Sequence, residues 1–194
     1  MRDIKSVCVY CGSSSRVRQS YKDAAVAFGE TLSRENIRLV YGGGQVGIMG
    51  IIADAVLRNG GEVIGIIPHF LNEKEVGKAD VTELIAVDSM HVRKQIMAER
   101  SDAFVVLPGG FGTLDEFFEI LTWRQLTLHD KPIVIADIDG YWSPLIRAVD
   151  HIVAEGFAHQ RNRDLFKVVP SIAEVLPTLR REPSGDTEIE SSRI

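Results

Sequence analysis

Residues 101–119, SDAFVVLPGGFGTLDEFFE, contain the turn that decides the fold. The apolar run AFVVLP predicts a strand buried on both faces, because strands covered by helices on both sides are apolar throughout. Proline ends the strand, three glycines follow within four residues, and a helix carrying three carboxylates begins near Thr113. A strand, a turn and a helix in this order form the repeating unit of an α/β protein.

The alternation of strand and helix extends over most of the chain. Apolar runs predict further strands at IKSVCVY, IRLVY, EVIGIIP, LIAV and PIVIAD. Apolar residues spaced three and four apart predict helices over residues 21–35, 48–60, 90–100, 113–128 and 143–156. Because helical crossovers join parallel strands, we predict an α/β fold: a doubly wound, Rossmann-like, mostly parallel sheet flanked by helices.

This sheet is expected to form a single domain over residues 1–181. Residues 69–83 are polar and support no assignment, whereas residues 160–166 and 172–181 predict two short helices. The polar tail, residues 182–194, is predicted to be disordered.

The composition argues against several classes of function. The chain has 194 residues and a formal net charge of −5, whereas nucleic-acid-binding domains are usually basic. It has no signal-peptide pattern and no apolar run long enough to span a bilayer, so we expect a cytoplasmic protein without a membrane partner. Cys8 and Cys11 form a C-x-x-C at a strand end, where they face opposite sides, and we interpret them as structural thiols.

Three strand ends carry loops rich in glycine or serine: CGSSS, GGGQVG and PGGFGT. Ligands of a doubly wound sheet bind outside the carboxyl ends of its strands, and N–H groups at a helix start attract anions. We therefore predict a nucleotide or sugar-phosphate ligand, although any single loop could be only a tight turn. The candidate residues at these strand ends are Gly12, Ser13, Gly42, Gly43, Gly44, Gly109, Gly110, Gly112 and Thr113.

Neither common nucleotide fingerprint fits well. Asp115 occupies the place of the third glycine of G-x-G-x-x-G after the strand at 103–108. Gly42, Gly44 and Gly47 complete that pattern, but they follow the second strand and have no clear acidic partner about 20 residues further on. The chain has no G-K-[ST].

Arg93, Lys94 and Glu116 each have a local and a functional interpretation. Arg93 and Lys94 lie on the helical stripe between Met90 and Met97, where apolar residues are expected. They either line a solvated helix edge or point into the anion site. Glu116 either closes a capping box with Thr113 or faces the uncharged part of the ligand as a general base.

The segment PGGFGTLDE, residues 108–116, resembles the P-G-G-x-G-T-x-x-E motif of the Lonely Guy family of cytokinin-activating phosphoribohydrolases, many of which carry the label lysine decarboxylase. MHVRK, residues 90–94, is similar to that family's M-H-x-R-K motif. VYGGGQVGIMG, CVYCGSSS and EILTWRQLTLHDKPI resemble further segments, so the resemblance covers residues 4 to about 180.

The resemblance implies hydrolysis of the N-glycosidic bond of an adenosine 5′-monophosphate that bears an isopentenyl-type group, with AMP as another potential substrate. It implies no cofactor or metal, and a homodimer. It implies that Arg93 and Glu116 are the catalytic pair. The substrate contacts that it implies are Glu75, Lys94, Gly109, Gly110, Phe111, Gly112, Thr113, Leu114, Asp115 and Thr122.

Two other functions remain open on the same residues. A decarboxylase dependent on pyridoxal phosphate (PLP) would need a Schiff-base lysine, for which Lys94 is the candidate. A nucleotide or cofactor carrier, similar to molybdenum-cofactor carriers, would not need the pair of Arg93 and Glu116. The five histidines are scattered along the chain and predict no metal site.

Overall fold

Seven parallel strands form one sheet in the computed structural model, which describes residues 1–75 and 77–183 except for the side chains of Lys74 and Glu75. The strands are β1 Ser6–Tyr10, β2 Arg38–Tyr41, β3 Val63–Pro68, β4 Glu83–Val87, β5 Ala103–Val106, β6 Ile133–Ala136 and β7 Lys167–Val169. The helices are α1 Gln19–Arg34, α2 Gly47–Arg58, α3 His69–Glu75, α4 Met90–Glu99, α5 Phe111–Gln125, α6 Ser143–Ala154 and α7 Val175–Arg181. Short 3-10 helices span Ile138–Gly140, Gln160–Leu165 and Ile172–Glu174.

The predicted fold class is confirmed, and every strand pair is parallel. Helix α3, strand β7 and the 3-10 helix Ile138–Gly140 were not predicted. Helix α3 lies in the polar segment that supported no assignment, and β7 has only three residues and pairs with β6 at the edge of the sheet.

The strand order is β4-β3-β2-β1-β5-β6-β7. The chain therefore proceeds outward from β1 in one direction, crosses back through α4, and continues from β5 in the other direction. The strands that precede the three glycine-rich loops, β2, β1 and β5, are neighbours at the centre of the sheet. Their carboxyl ends lie at the topological switch point, which is where ligands bind in this class of fold.

The sheet separates two apolar layers. One contains Cys11, Phe28 and Ile52, and the other contains Cys8 and Phe117. The two cysteines are buried and free, and they lie in opposite layers as their spacing predicts. Ser89 caps α4, since its Oγ accepts a hydrogen bond from the Val92 N–H at 3.2 Å.

Residues 184–194 of the predicted tail lie outside the described residues. Glu182 and Pro183 are described, and their backbone carbonyls accept hydrogen bonds from the Arg2 side chain. No helix among the described residues has the length and apolar character that crossing a membrane requires.

Phe117 should be essential for anchoring α5 to the sheet. It is fully buried and lies edge-on to Phe166 with ring centroids 5.5 Å apart. We expect Phe117→Ala to lower the free energy of unfolding by about 3–5 kcal/mol, because it leaves a cavity in the core. Chemical denaturation measures this change.

Phe111→Ala is the matched control, since Phe111 belongs to the same helix but is 92% exposed. It should leave the free energy of unfolding unchanged. Equal losses in both variants would contradict the packing described for α5.

Candidate active site

Arg93 lies at the junction of two strand ends and a helix. Its Nε donates a hydrogen bond to the Ile66 carbonyl of β3 at 3.0 Å, and Nη2 donates to the Gly42 carbonyl after β2 at 3.2 Å. Its Nη1 lies 3.1 Å from Oε1 of Glu116 on α5. The residue is only 7% exposed, so the solvated-edge interpretation is wrong for Arg93.

Part of the guanidinium remains available to a ligand. A guanidinium has five N–H donors, and the three hydrogen bonds to oxygen occupy three of them. Among the described residues, the only other acceptor near it is the Met90 sulfur, 3.9 Å from Nη1. The second hydrogen on Nη2 is therefore free to bind a substrate oxygen.

Glu116 is the acidic partner of Arg93 and is only 8% exposed. Burial raises its pKa to about 7, while the nearby Arg93 guanidinium acts in the opposite direction. Only Oε1 accepts a hydrogen bond from the described residues. The side chain can thus exchange a proton near neutral pH and offers Oε2 to a ligand or a water molecule.

The capping-box interpretation of Glu116 is wrong. Helix α5 begins at Phe111 with Gly110 as its N-cap, so Thr113 is already the third helical residue. No side chain caps this helix start. The Glu116 carboxylate binds Arg93 and does not accept a hydrogen bond from the first N–H groups of α5.

The loops after β1 and β5 pack backbone against backbone. The Gly12 N–H donates to the Pro108 carbonyl at 3.1 Å. A Cβ atom on Gly109 would collide with the Thr113 side chain and lie 2.9 Å from the Gly12 nitrogen. Glycine at position 109 therefore allows a close approach that any larger residue would prevent.

The sequence predicts an anion site at residues 108–113, which form the connection after β5 and the first turn of α5 and are called the β5 loop below. The first N–H groups of a helix have no acceptor within the helix. Those of Gly110, Phe111, Gly112 and Thr113 have no acceptor among the described residues either. They lie at the positive end of the 15-residue helix α5, which favours a phosphate group.

The loop after β2 forms another side of the site. The Gly42 carbonyl contacts Arg93, and a Cβ atom on Gly42 would overlap its guanidinium. Gly43 has a positive φ of 76° and its carbonyl accepts from the Lys78 N–H at 3.0 Å, while Gly44 forms a bridge with Gly77. Gly77 and Lys78, which belong to the connection between β3 and β4, thus hold this loop in place.

Lys94 is not free in the described structure. Its Nζ lies 3.1 Å from both Asp115 and Glu119 on α5. Burial acts to lower the pKa of Lys94, but the hydrogen bonds to the two carboxylates outweigh it and raise the pKa above its ordinary value. A Schiff-base lysine must lose its proton, so this environment argues against the PLP-dependent decarboxylase.

The remaining predicted residues are spread along α5 and the neighbouring loops. Ser13 is exposed, and Leu114 is half-buried in the apolar layer. Thr122 is exposed six residues beyond Glu116, roughly 9 Å along the helix axis. The side chain of Glu75, at the end of α3, lies outside the described part of the structure.

Tyr141, in the loop after β6, contacts the site but was not predicted. Its hydroxyl donates to the Gly109 carbonyl at 2.5 Å. The sequence indicates it only through its position after β6, the strand that pairs with β5. No group of three or more His, Cys, Asp or Glu side chains that could bind a metal ion occurs among the described residues.

Comparisons with known proteins give a consistent result. Residues 49–179 match the family model described as "Possible lysine decarboxylase". The chain is 46% identical to cytokinin riboside 5′-monophosphate phosphoribohydrolase LOG1 of Arabidopsis thaliana over 90% of this chain and 82% of that protein. It is 44% identical to LOG5 of the same plant, which has the same activity name, over 97% of this chain and 83% of that protein.

Among solved structures, the chain is similar to the molybdenum cofactor carrier protein of Chlamydomonas reinhardtii. The TM-score is 0.70 at 19% identity, over 91% of this chain and 96% of that chain. At this identity the similarity concerns the fold alone.

The charges on α4 and α5 should shift the pKa of Glu116 in opposite directions. We expect a pKa near 7 in the unmodified protein, a higher value in Lys94→Met and a lower value in Asp115→Asn. Lys94 favours the carboxylate form, whereas Asp115 disfavours it. Carbon-13 NMR titration of labelled glutamate side chains, assigned with Glu116→Gln, measures these values. A pKa of 4.5 in the unmodified protein contradicts the burial described for Glu116.

Proposed function

The chain belongs to the family of cytokinin riboside 5′-monophosphate phosphoribohydrolases, and we propose that it hydrolyses the N-glycosidic bond of N6-substituted adenosine 5′-monophosphates. The products are the free base and ribose 5-phosphate. The observation that carries the proposal is the buried ion pair of Arg93 and Glu116 beside the unpaired N–H groups of the β5 loop. AMP belongs to the same substrate class and is the natural comparison.

Glu116 supplies the acid–base chemistry of this reaction. Breaking the N-glycosidic bond builds positive charge on the ribose ring, and a carboxylate close to the ring stabilises that charge. Oε2 is the oxygen available for this role or for removing a proton from the attacking water, because Oε1 is bound to Arg93. A pKa of about 7 suits a general base that works near neutral pH.

Arg93 holds the catalytic carboxylate and binds the substrate. Its hydrogen bonds to the Ile66 and Gly42 carbonyls fix the plane of the guanidinium, so its contact with Glu116 has a single geometry. The free hydrogen on Nη2 donates to an oxygen of the ribose or the phosphate. Arginine suits this function because it stays charged when buried and its donors are rigidly arranged.

The β5 loop binds the 5′-phosphate. The N–H groups of Gly110, Phe111, Gly112 and Thr113 supply donors, and the Thr113 hydroxyl adds another. Lys94 raises the local positive potential while it is held by Asp115 and Glu119. Glu75 and Thr122 are included as substrate contacts on the family resemblance.

The carrier alternative does not account for the ion pair. A carrier needs the loops that hold an anion, but it does not need a buried carboxylate whose pKa is near neutrality. The similarity to molybdenum cofactor carriers at 19% identity therefore supports a shared fold for two different functions.

Two further features belong to the proposal. We propose a cytoplasmic protein without nucleic-acid or membrane partners, supported by the free thiols of Cys8 and Cys11, which persist in a reducing compartment.

We also propose a homodimer formed through α4, α5 and the residues that directly follow α5. Four apolar side chains are exposed there: Val92, Phe118, Leu126 and Leu128. One of them, Leu128, lines a cavity of about 360 Å³ together with Gln95 and Trp123.

The reaction is tested by incubating the protein with isopentenyl-AMP and with AMP and quantifying the released base. We expect turnover of isopentenyl-AMP, and Glu116→Gln should lower kcat by about 100- to 10,000-fold while nucleotide binding persists. Glutamine keeps the shape and a hydrogen-bond acceptor for Arg93 but cannot carry the negative charge. Arg93→Ala should also lose turnover, whereas Lys94→Ala should mainly raise KM.

Three outcomes contradict parts of this proposal. Near-normal turnover in Glu116→Gln removes the residue from the chemistry. Equal effects of Arg93→Ala and Lys94→Ala on kcat overturn their separate functions. Binding of nucleotides without release of base in the unmodified protein favours the carrier.

The dimer is tested by light scattering. Leu128 is 68% exposed in the single chain, and we expect Leu128→Asp to shift the protein toward the monomer, because it places a charge in the apolar interface. Phe157→Asp is the matched control, since Phe157 is 87% exposed beyond α6. A monomeric unmodified protein, or dissociation by Phe157→Asp alone, contradicts the proposed interface.

A further inference from the structure

The loop after β6 is a rigid support for Tyr141. The Asp137 carboxylate accepts hydrogen bonds from the Trp142 N–H at 2.6 Å and from the Ser143 hydroxyl at 3.0 Å. The short 3-10 helix Ile138–Gly140 lies between Asp137 and Trp142, and Asp139 within it has a positive φ of 52°. This turn fixes the backbone from which the Tyr141 side chain extends.

Two aromatic neighbours hold the Tyr141 ring. Tyr21 on α1 and Trp142 both lie edge-on to it, with ring centroids 5.3 Å and 4.7 Å away. Tyr21 and Trp142 are themselves buried. Tyr141 itself is 38% exposed, so these two rings pack against only part of its side chain, and its hydroxyl lies 2.5 Å from the Gly109 carbonyl.

The hydrogen bond to Gly109 determines the direction of a donor in the phosphate site. Gly109 and Gly110 share one peptide group, and in a planar trans peptide the C=O and the N–H point in opposite directions. Both residues are glycines, so no side chain limits rotation of this peptide. Fixing the Gly109 carbonyl on Tyr141 therefore directs the Gly110 N–H away from Tyr141.

The Gly110 N–H is the first donor of the β5 loop and has no acceptor among the described residues. We propose that Tyr141 is a positioning residue: its hydroxyl holds the Gly109–Gly110 peptide in the orientation that presents the Gly110 N–H to the 5′-phosphate. This inference rests on the proposed function, because it assigns the phosphate of that substrate to the β5 loop. The hydrogen bond and ring contacts described for Tyr141 include neither Arg93 nor Glu116, so the inference concerns the phosphate site and not the catalytic pair.

The test compares ligands with and without the phosphate. In Tyr141→Phe the ring and its aromatic contacts remain, and only the hydroxyl is lost. We expect the Kd for AMP and the KM for isopentenyl-AMP to rise about fivefold, the typical effect of losing one neutral hydrogen bond. The Kd for adenosine, the kcat and the Tm should stay unchanged, because the variant alters only the phosphate site.

Tyr21→Phe is the matched control in the same aromatic cluster, since the Tyr21 hydroxyl has no hydrogen bond among the described residues. It should leave the Kd for AMP unchanged. Equal weakening of AMP and adenosine, or no weakening of either, overturns the inference about Tyr141.

The same measurements separate this inference from the proposed reaction. If the unmodified protein releases no base, the reaction is wrong, but the Kd values for AMP and adenosine still report on Tyr141. If base is released and Tyr141→Phe behaves as the unmodified protein, the reaction stands and the positioning function is wrong.

Discussion

The buried guanidinium of Arg93 is the interaction on which the rest of the site depends. A buried charge is tolerated only when it is paired and hydrogen bonded, and Arg93 meets this requirement through Ile66, Gly42 and Glu116. Two of these partners are backbone carbonyls at the ends of β3 and β2, and the third is a side chain of α5. One side chain thus joins β3, the loop after β2 and helix α5, and it holds the Glu116 carboxylate 3.1 Å from its own Nη1.

The glycine residues follow from this arrangement. A side chain at position 42 would occupy the space of the Arg93 guanidinium, and a side chain at 109 would separate the β5 loop from Gly12. The glycines are therefore required by the close packing of charged and polar groups at the centre of the sheet, whereas the unpaired N–H groups of α5 result from its uncapped start. The fold supplies the position of the site, whereas these few contacts supply its chemistry.

The sequence predicts the fold well because its apolar runs and helical stripes are strong and regular. It also indicates Arg93, since a charge between Met90 and Met97 interrupts an apolar stripe. It cannot identify the partners of Arg93, because they depend on the order in which the strands pair. Local pattern alone supports Glu116 equally well as a capping residue, and only the start of α5 at Phe111 excludes that interpretation. Tyr141 escapes prediction because its hydroxyl bonds to the backbone of a residue 32 positions away.

The ion pair also bears on the choice between a hydrolase and a carrier. The pKa of Glu116 rises from 4.5 to about 7 on folding, so the folded protein binds its proton more tightly than the unfolded chain. The contribution to stability is complete below the unfolded pKa and is lost as the pH rises through the folded pKa, a difference on the order of 3 kcal/mol. At neutral pH about half of the Glu116 side chains are therefore ionised, and most of this contribution to stability is already lost. A site that only holds an anion gains nothing from this cost, whereas a site that must exchange a proton near neutral pH uses a carboxyl group with such a pKa.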